Sequence, residues 1–179
     1  MLQNQNIDLL YKQIGEFVVS FQWYENKFRE IGWLINDPLR EHWPPLILRK
    51  ERNKDIINKV GQMFSEAMDR IPYPEAANRK KSFNILIERS HELRKYRNTL
   101  LHSAYVELKA GSEINGIMKV NPIIRFDDEG EYLIDIEDLT NDNLRKRMNE
   151  FAEMGFELGN HHVQLIHWSQ YLTNPKRHG

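Results

Sequence analysis

A single apolar stripe at the start of the chain restricts its fold more than any other feature. The members of the stripe recur at alternating steps of three and four residues, a spacing that places them on one face of an α-helix. They are Ile7, Leu10, Ile14, Phe17, Phe21, Tyr24, Phe28 and Ile31. The spacing predicts one long first helix, and Pro38 predicts that it ends near residue 36, because proline disfavours helical geometry in the preceding residue.

Two further helices are predicted in the first two thirds of the chain. Asn53 is positioned to cap the second helix, whose apolar residues again follow helical spacing until Pro72 interrupts it. The third helix is predicted from about Asn78 to about Lys109. Gly111 is predicted to terminate that helix, since glycine readily adopts the left-handed conformation found after helix ends.

Residues 117–137 have a different residue pattern from the helical segments. Short β-branched and aromatic segments flank the sequence Asp-Asp-Glu-Gly at residues 127–130, which predicts a β-hairpin. Thr140 or Asn141 then caps a last long helix. The apolar side of that helix is predicted to carry Leu144, Met148, Phe151, Leu158 and Leu165.

These elements predict one domain over residues 1–179, with a frayed tail from about residue 173. The predicted fold class is all-α, an up-and-down helical bundle of about four to five helices with a small β-hairpin inserted before the last helix. Short connections favour this arrangement because they make successive helices antiparallel neighbours.

The composition excludes several functional classes. The chain has no cysteine, which excludes disulfides, thiolate zinc sites and cysteine nucleophiles. The formal net charge of -1 excludes a uniformly cationic nucleic-acid coat protein. No stretch approaches the roughly 20 apolar residues that a membrane span needs, and the first residues do not resemble a signal peptide. We therefore expect a cytoplasmic protein without a membrane partner.

Charge is segregated along the chain. Residues 77–97 carry seven basic and two acidic side chains, whereas residues 125–142 carry eight acidic side chains and one basic side chain. Such runs are often two solvated faces. The alternative is that the third helix offers phosphate groups a binding surface. Its candidate RNA- or phosphate-binding residues are Lys80, Lys81, His91, Arg94, Lys95 and Tyr105.

The sequence HELRKYRNTLLHSAYVEL in the third helix is the one place where several catalytic residue types converge. Arg97 falls inside a narrow apolar stripe. A guanidinium there must form an ion pair, face a helix interface or bind an anion. Asn98 and His102 are four residues apart and share a helical face. On an ideal helix His102 projects about 140° away from Arg97.

This set of residues suits acid-base chemistry on a phosphodiester. His102 can take and return a proton near neutral pH, and Arg97 can stabilise charge on phosphoryl oxygens. Asn98 can orient one of these partners or hold a second phosphate. Attack by a ribose 2'-hydroxyl on its own phosphate needs no metal or other cofactor. The angle between Arg97 and His102 requires either a distorted helix or a second copy of the chain.

Residues 97–102, RNTLLH, resemble the signature of the HEPN family (higher eukaryotes and prokaryotes nucleotide-binding domains), in which four to six residues separate an arginine from a histidine. Arg97, Asn98 and His102 match the arginine, the polar residue that commonly follows it and the histidine. The resemblance implies an all-α homodimer with two facing motifs. It also implies metal-independent RNA cleavage to a 2',3'-cyclic phosphate and a 5'-hydroxyl, often in a toxin-antitoxin pair or in phage defence.

The leading hypothesis is therefore a dimeric endoribonuclease with Arg97, Asn98 and His102 as its catalytic residues, RNA as substrate and an antitoxin as a further partner. One alternative is a non-catalytic HEPN-like module that binds a nucleotide or a partner, and another is a purely structural helical dimer. A metal site is not expected, because His161 and His162 point to different faces of a helix and His162 with His167 has poor ligand spacing. Phe17, Phe21, Trp23, Tyr24, Phe28 and Trp33 are predicted to form core and dimer contacts.

Overall fold

The structure, a computed structural model, describes residues 2–39, 41, 51–111, 113–121, 125–126, 132–133 and 136–173. Its helices are α1 (Leu2–Asn36), α2 (Asn53–Met68), α3 (Glu75–His102) and α4 (Asn141–His167), followed by a 3-10 turn at Ser169–Tyr171. Its strands are β1 (Ala104–Ala110), β2 (Glu113–Val120), β3 (Arg125–Phe126), β4 (Tyr132–Leu133) and β5 (Ile136–Leu139). The prediction of a helical bundle with a β insertion before the last helix is confirmed.

The end of α1 and the start of α4 follow from local sequence, whereas the start of α2 does not. Helix α1 ends at Asn36, and the backbone N–H of Asp37 still donates to the carbonyl of Trp33 at 2.8 Å. At the start of α4 the Thr140 hydroxyl accepts a hydrogen bond from the backbone N–H of Asn143 at 3.2 Å, as expected for an N-cap. The predicted cap of α2 is wrong by one residue, because Arg52 occupies the N-cap position without a side-chain hydrogen bond.

The predicted C-terminal end of the third helix is wrong. Helix α3 ends at His102, and residues 104–110 form strand β1 instead of two further helical turns. The physical reason is non-local, since β1 pairs antiparallel with β2 along its whole length. Gly111, with a φ of 69°, lies in the turn between these two strands and not at a helix end.

The strands form a three-stranded antiparallel sheet in the order β1-β2-β5, together with a two-stranded β3-β4 ladder. Within the predicted hairpin, Ile117–Val120 pair with Ile136–Leu139, and Arg125–Phe126 pair with Tyr132–Leu133. The predicted turn at residues 127–130 and the residues after 173 lie outside the described residues. The prediction of antiparallel strands over residues 117–137 is confirmed, while β1 was not predicted.

The chain groups into two compact units. Unit 1 comprises Met1–Phe21 and Lys95–Phe151, and unit 2 comprises Gln22–Arg94 and Ala152–Gly179. The core of unit 1 is centred on Phe17, whose ring lies 5.3 Å from that of Tyr96 and 5.5 Å from that of Phe151. The sheet adds Ile117 and Leu139, which are both almost fully buried.

The core of unit 2 is an aromatic stack between helices. The rings of Phe64 and Phe83 lie parallel with centroids 3.8 Å apart, and Phe28 packs against Phe83 at 6.2 Å. Helix α3 runs antiparallel to α1, because Tyr24 meets Ser90 and Phe28 meets Phe83. It runs antiparallel to α2 as well, because Asn58 meets His91 and Phe64 meets Phe83. Helices α1 and α2 are therefore parallel to each other within this unit, which departs from the predicted alternation of successive helices.

Candidate functional site

Arg97 lies in unit 1, in the last two turns of α3. Its guanidinium carbon is 5.8 Å from the ring centroid of Phe21, which is fully buried in α1. Its Nη1 donates to Asn98 Oδ1 at 3.2 Å, and its Nε is buried without a hydrogen-bond partner in the described chain. No carboxylate of the described residues forms an ion pair with it. An ion pair, the first of the three possibilities for this guanidinium, therefore finds no support in this part of the chain.

Asn98 and His102 differ in their surroundings. Asn98 is half-buried, and its amide oxygen is occupied by Arg97. His102 is the last residue of α3, and its side chain is exposed and forms no hydrogen bond or ion pair with the described residues. A single chain thus presents Arg97 and Asn98 as a hydrogen-bonded pair and leaves the imidazole of His102 open to a ligand or to another chain.

Ser103 and Tyr105, which lie shortly after the motif, differ in whether their hydroxyls have hydrogen-bond partners. The Ser103 hydroxyl is buried without a hydrogen-bond partner among the described residues. Tyr105, predicted on the third helix, lies on β1, where its hydroxyl donates to the carbonyl of Leu100. Burial, followed by the carboxylate of Glu137, raises the pKa of Tyr105, so this hydroxyl remains a donor at neutral pH.

The remaining candidate RNA- or phosphate-binding residues are divided between the units. Lys95 lies in unit 1, whereas Lys80, Lys81, His91 and Arg94 lie in unit 2. Lys80 is ion-paired with Asp69, with its Nζ 2.7 Å from both carboxylate oxygens. His91 Nε2 donates to Asn58 at 2.7 Å. Lys81 is exposed, while Arg94 is half-buried with an unpartnered Nε.

The structure also reveals a cluster that sequence reasoning missed. We call it the Tyr96 cluster, and it consists of Tyr96, Lys119, Glu137, Arg147 and Glu150, all in unit 1. Lys119 and Glu137 are direct cross-strand neighbours on β2 and β5 and form an ion pair, although the Lys119 side chain is only 6% exposed. A buried lysine requires such a partner.

Two cations approach the ring of Tyr96. The Lys119 Nζ lies 5.4 Å from the ring centroid and the Arg147 guanidinium carbon lies 5.1 Å from it, both within the range of a cation–π interaction. Arg147 is also ion-paired with Glu150 at 2.9 Å. Burial, followed by Glu137, raises the pKa of Tyr96 to about 12, and Arg147 opposes that shift.

The histidines of α4 occupy different surroundings. His161 is 1% exposed and meets the edges of Phe64 and Phe83, with ring centroids 5.4 Å and 5.0 Å away. Burial, and then the charge of Arg79, lowers the pKa of His161 to about 4. His162 instead lies near Lys27 and Glu30 of α1. The two adjacent histidines therefore face different sides of the helix, as the sequence indicates.

Neither a cluster of metal-binding side chains nor a membrane-spanning helix occurs among the described residues. No group of three or more histidine, aspartate or glutamate side chains in this part of the chain is arranged to hold a metal ion. None of the described helices combines the length and the apolar character that crossing a bilayer requires.

Comparison with known proteins adds no relative. The chain matches no model of a protein family, no curated protein and no solved structure.

Proposed function

We propose that the protein is a metal-independent endoribonuclease of the HEPN type that acts on RNA in the cytoplasm. The observation that carries the proposal is the environment of Arg97. Its guanidinium is half-buried against Phe21, is held by Asn98 and has no carboxylate partner among the described residues. A positive charge in that position is available to an anionic ligand, and a phosphodiester supplies one.

The proposed roles follow from the chemistry of each side chain. His102 accepts the proton of the ribose 2'-hydroxyl as its oxygen bonds to phosphorus, or returns a proton to the 5'-oxygen as the P–O5' bond breaks. Arg97 stabilises the charge that grows on the phosphoryl oxygens. Asn98 is a positioning residue, because its amide oxygen holds the Arg97 guanidinium at 3.2 Å.

We further propose that the active form is a homodimer in which the motifs of two chains complete one site. Within one chain His102 forms no hydrogen bond with Arg97 or Asn98, and its neighbour Leu101 is an exposed apolar residue. In unit 2, α4 carries an accessible apolar stripe with steps of four and three residues, the spacing of a coiled-coil seam. The stripe consists of Ala152, Phe156, Gly159, Val163 and Ile166. In this proposal an antitoxin is a further partner of a toxin or defence protein.

The test of the nuclease is cleavage of mixed RNA by the purified protein, with and without EDTA. We expect 2',3'-cyclic phosphate products in both conditions, and their loss in Arg97→Ala and His102→Ala. The matched control for His102→Ala is His167→Ala, because His167 is likewise an exposed histidine at the last position of a helix. Cleavage that survives both substitutions, or that EDTA abolishes, would contradict the proposal.

A second candidate function is a non-catalytic module that binds a nucleotide or a protein partner. The observation that favours it is the open position of His102 within one chain, which leaves no assembled acid-base pair. This alternative predicts nucleotide binding without turnover, and loss of binding in Lys81→Gln or Arg94→Gln. RNA that remains intact after incubation with the dimeric protein would favour this candidate over the nuclease.

A further inference from the structure

We propose that Arg147 and the Tyr96 hydroxyl form a phosphate-binding site that holds the backbone of the RNA substrate. The inference rests on the proposed function for the identity of its ligand, and on the geometry of the Tyr96 cluster for the site itself. None of the five residues of the cluster belongs to the RNTLLH motif. Tyr96 directly precedes Arg97 on α3, and both residues belong to unit 1.

The two cations of the cluster differ in how firmly they are held. Lys119 is 6% exposed and is fixed to Glu137 across the sheet, so it is not free to bind a ligand. Arg147 and Glu150 are 50% and 42% exposed and are three residues apart on one helix. Exposed pairs of this kind contribute little stability. A phosphate group can therefore replace the Glu150 carboxylate on Arg147 at small cost, with the gain of a second hydrogen bond to the guanidinium fork.

The ring of Tyr96 restricts the Arg147 side chain before phosphate binds. The guanidinium lies 5.1 Å from the ring centroid, a contact that restricts a long side chain and lowers the entropy that binding would otherwise cost. The buried ammonium of Lys119 near the same ring is neutralised by Glu137, so Arg147 is the cation of the cluster that a ligand can reach. A tyrosine hydroxyl is protonated at neutral pH, and burial raises the pKa of Tyr96 further, so this group can donate to a phosphoryl oxygen.

The first experiment measures binding of a labelled single-stranded RNA with 2'-O-methyl riboses, which removes the nucleophile and prevents cleavage. We expect Arg147→Gln to weaken binding about tenfold. We also expect it to reduce the slope of log affinity against log salt by about 1. Arg145→Gln is the matched control, because Arg145 is an exposed arginine of the same helix. Equal weakening in both variants would overturn the site, since it would indicate a general effect of net charge.

The second experiment tests a substitution that should strengthen RNA binding. Glu150→Gln removes the carboxylate that competes for Arg147, and we expect RNA binding to tighten about threefold. Glu153→Gln makes the same change in charge at another exposed position of α4, and we expect no comparable gain. Tightening in both variants, or in neither, would overturn the exchange of Glu150 for phosphate. Neither residue is buried, so loss of the fold is not expected to obscure the result.

Two further measurements are needed. One distinguishes failure of the phosphate-binding site from failure of the proposed nuclease, and the other distinguishes RNA from free phosphate as the ligand. His102→Ala should bind the 2'-O-methyl RNA normally while failing to cleave unmodified RNA. An Arg147-specific loss of binding in a protein without cleavage would reject the nuclease and retain the site, whereas full cleavage and binding by Arg147→Gln would reject the site alone. Displacement of the RNA by inorganic phosphate at equal concentration would overturn the RNA backbone as the ligand, because a free anion would then satisfy the site.

Discussion

The guanidinium carbon of Arg97 lies 5.8 Å from the ring centroid of Phe21, while the Nη1 of Arg97 donates to the side chain of Asn98. The ring restricts the long side chain, and the amide fixes one edge of its planar fork. The remaining donors are left for an anion, since no carboxylate of the described chain pairs with Arg97. A lysine has the same charge but cannot reproduce this geometry.

Arg97→Lys is therefore expected to lower kcat for RNA cleavage by about 100-fold, because it removes the fork that we propose meets the phosphoryl oxygens in the transition state. KM should change much less, since the positive charge remains. Steady-state kinetics on a fluorogenic RNA measure both constants, and Arg145→Lys provides the control. Near-normal kcat in Arg97→Lys would show that charge alone suffices at this position.

Stability should fall in mild acid because of His161. Its pKa is about 4 in the folded chain and 6.5 in the unfolded chain, so the unfolded chain binds the proton more readily. The stability that the neutral imidazole contributes is fully present above pH 6.5 and is lost as the pH falls from about 6.5 towards 4, by roughly 3 kcal/mol in total. Urea unfolding at about pH 7.5 and about pH 5 measures this loss.

The matched comparison for this pH effect uses two histidines of α4. His161→Phe should remove much of the loss between the two pH values, whereas His167→Gln should retain it, because His167 is exposed. NMR titration of the wild-type protein gives an independent measure, in which the His161 imidazole stays neutral through pH 5. A normal titration near pH 6.5 would contradict the expected burial penalty.

A buried chain of hydrogen bonds in unit 2 predicts that one substitution lowers the free energy of unfolding more than another. The Ser90 hydroxyl donates to the carbonyl of Leu86 at 2.6 Å, so the Tyr24 hydroxyl is the donor in its 2.7 Å bond to Ser90. Tyr24→Phe should lower the free energy of unfolding by about 1 kcal/mol. Ser90→Ala should cost more, about 1 to 3 kcal/mol, because it leaves the Tyr24 hydroxyl buried without its acceptor. The reverse order in urea unfolding would contradict the assigned donor.

Self-association is expected to depend on the accessible apolar stripe of α4. Phe156 belongs to that stripe and is 73% exposed, so Phe156→Asp places a charge on the proposed dimer contact without disturbing a buried side chain. We expect sedimentation equilibrium to show a dimer for the wild type and a monomer for this variant. Ile85→Asp, at an exposed apolar position on α3, should remain dimeric. A monomeric wild type would remove the homodimer from the proposal.

The regular helices were predictable because each is specified by its own local periodicity. All but Ile14 of the eight residues in the α1 stripe are buried, and α1 ends at Asn36 as expected. On α4, the predicted apolar side is likewise buried except for Met148, which is half-buried. Of the aromatics predicted to form core and dimer contacts, Phe17, Phe21, Tyr24 and Phe28 are core residues, whereas Trp23 is largely exposed.

Strand β1 and the Tyr96 cluster were not predictable from local pattern. Residues 104–110 follow a helix without a proline or glycine to mark the change, and only pairing with β2 selects the extended conformation. Lys119 is buried between strands, whereas the neighbouring Met118 and Val120 on the opposite face are more accessible. Alternation within one strand does not reveal which face a sheet will bury.

The order of the helices, the extent of α1 and the presence of an arginine, an asparagine and a histidine within six residues were determined by the sequence alone. These properties depend on contacts a few residues apart, which periodicity reports directly. The tertiary structure decided that Tyr105 lies on a strand and that Arg97 lies against Phe21. It also decided that Lys119 and Arg147 meet at Tyr96, because each of these relationships joins residues distant in the chain that only packing and strand register bring together.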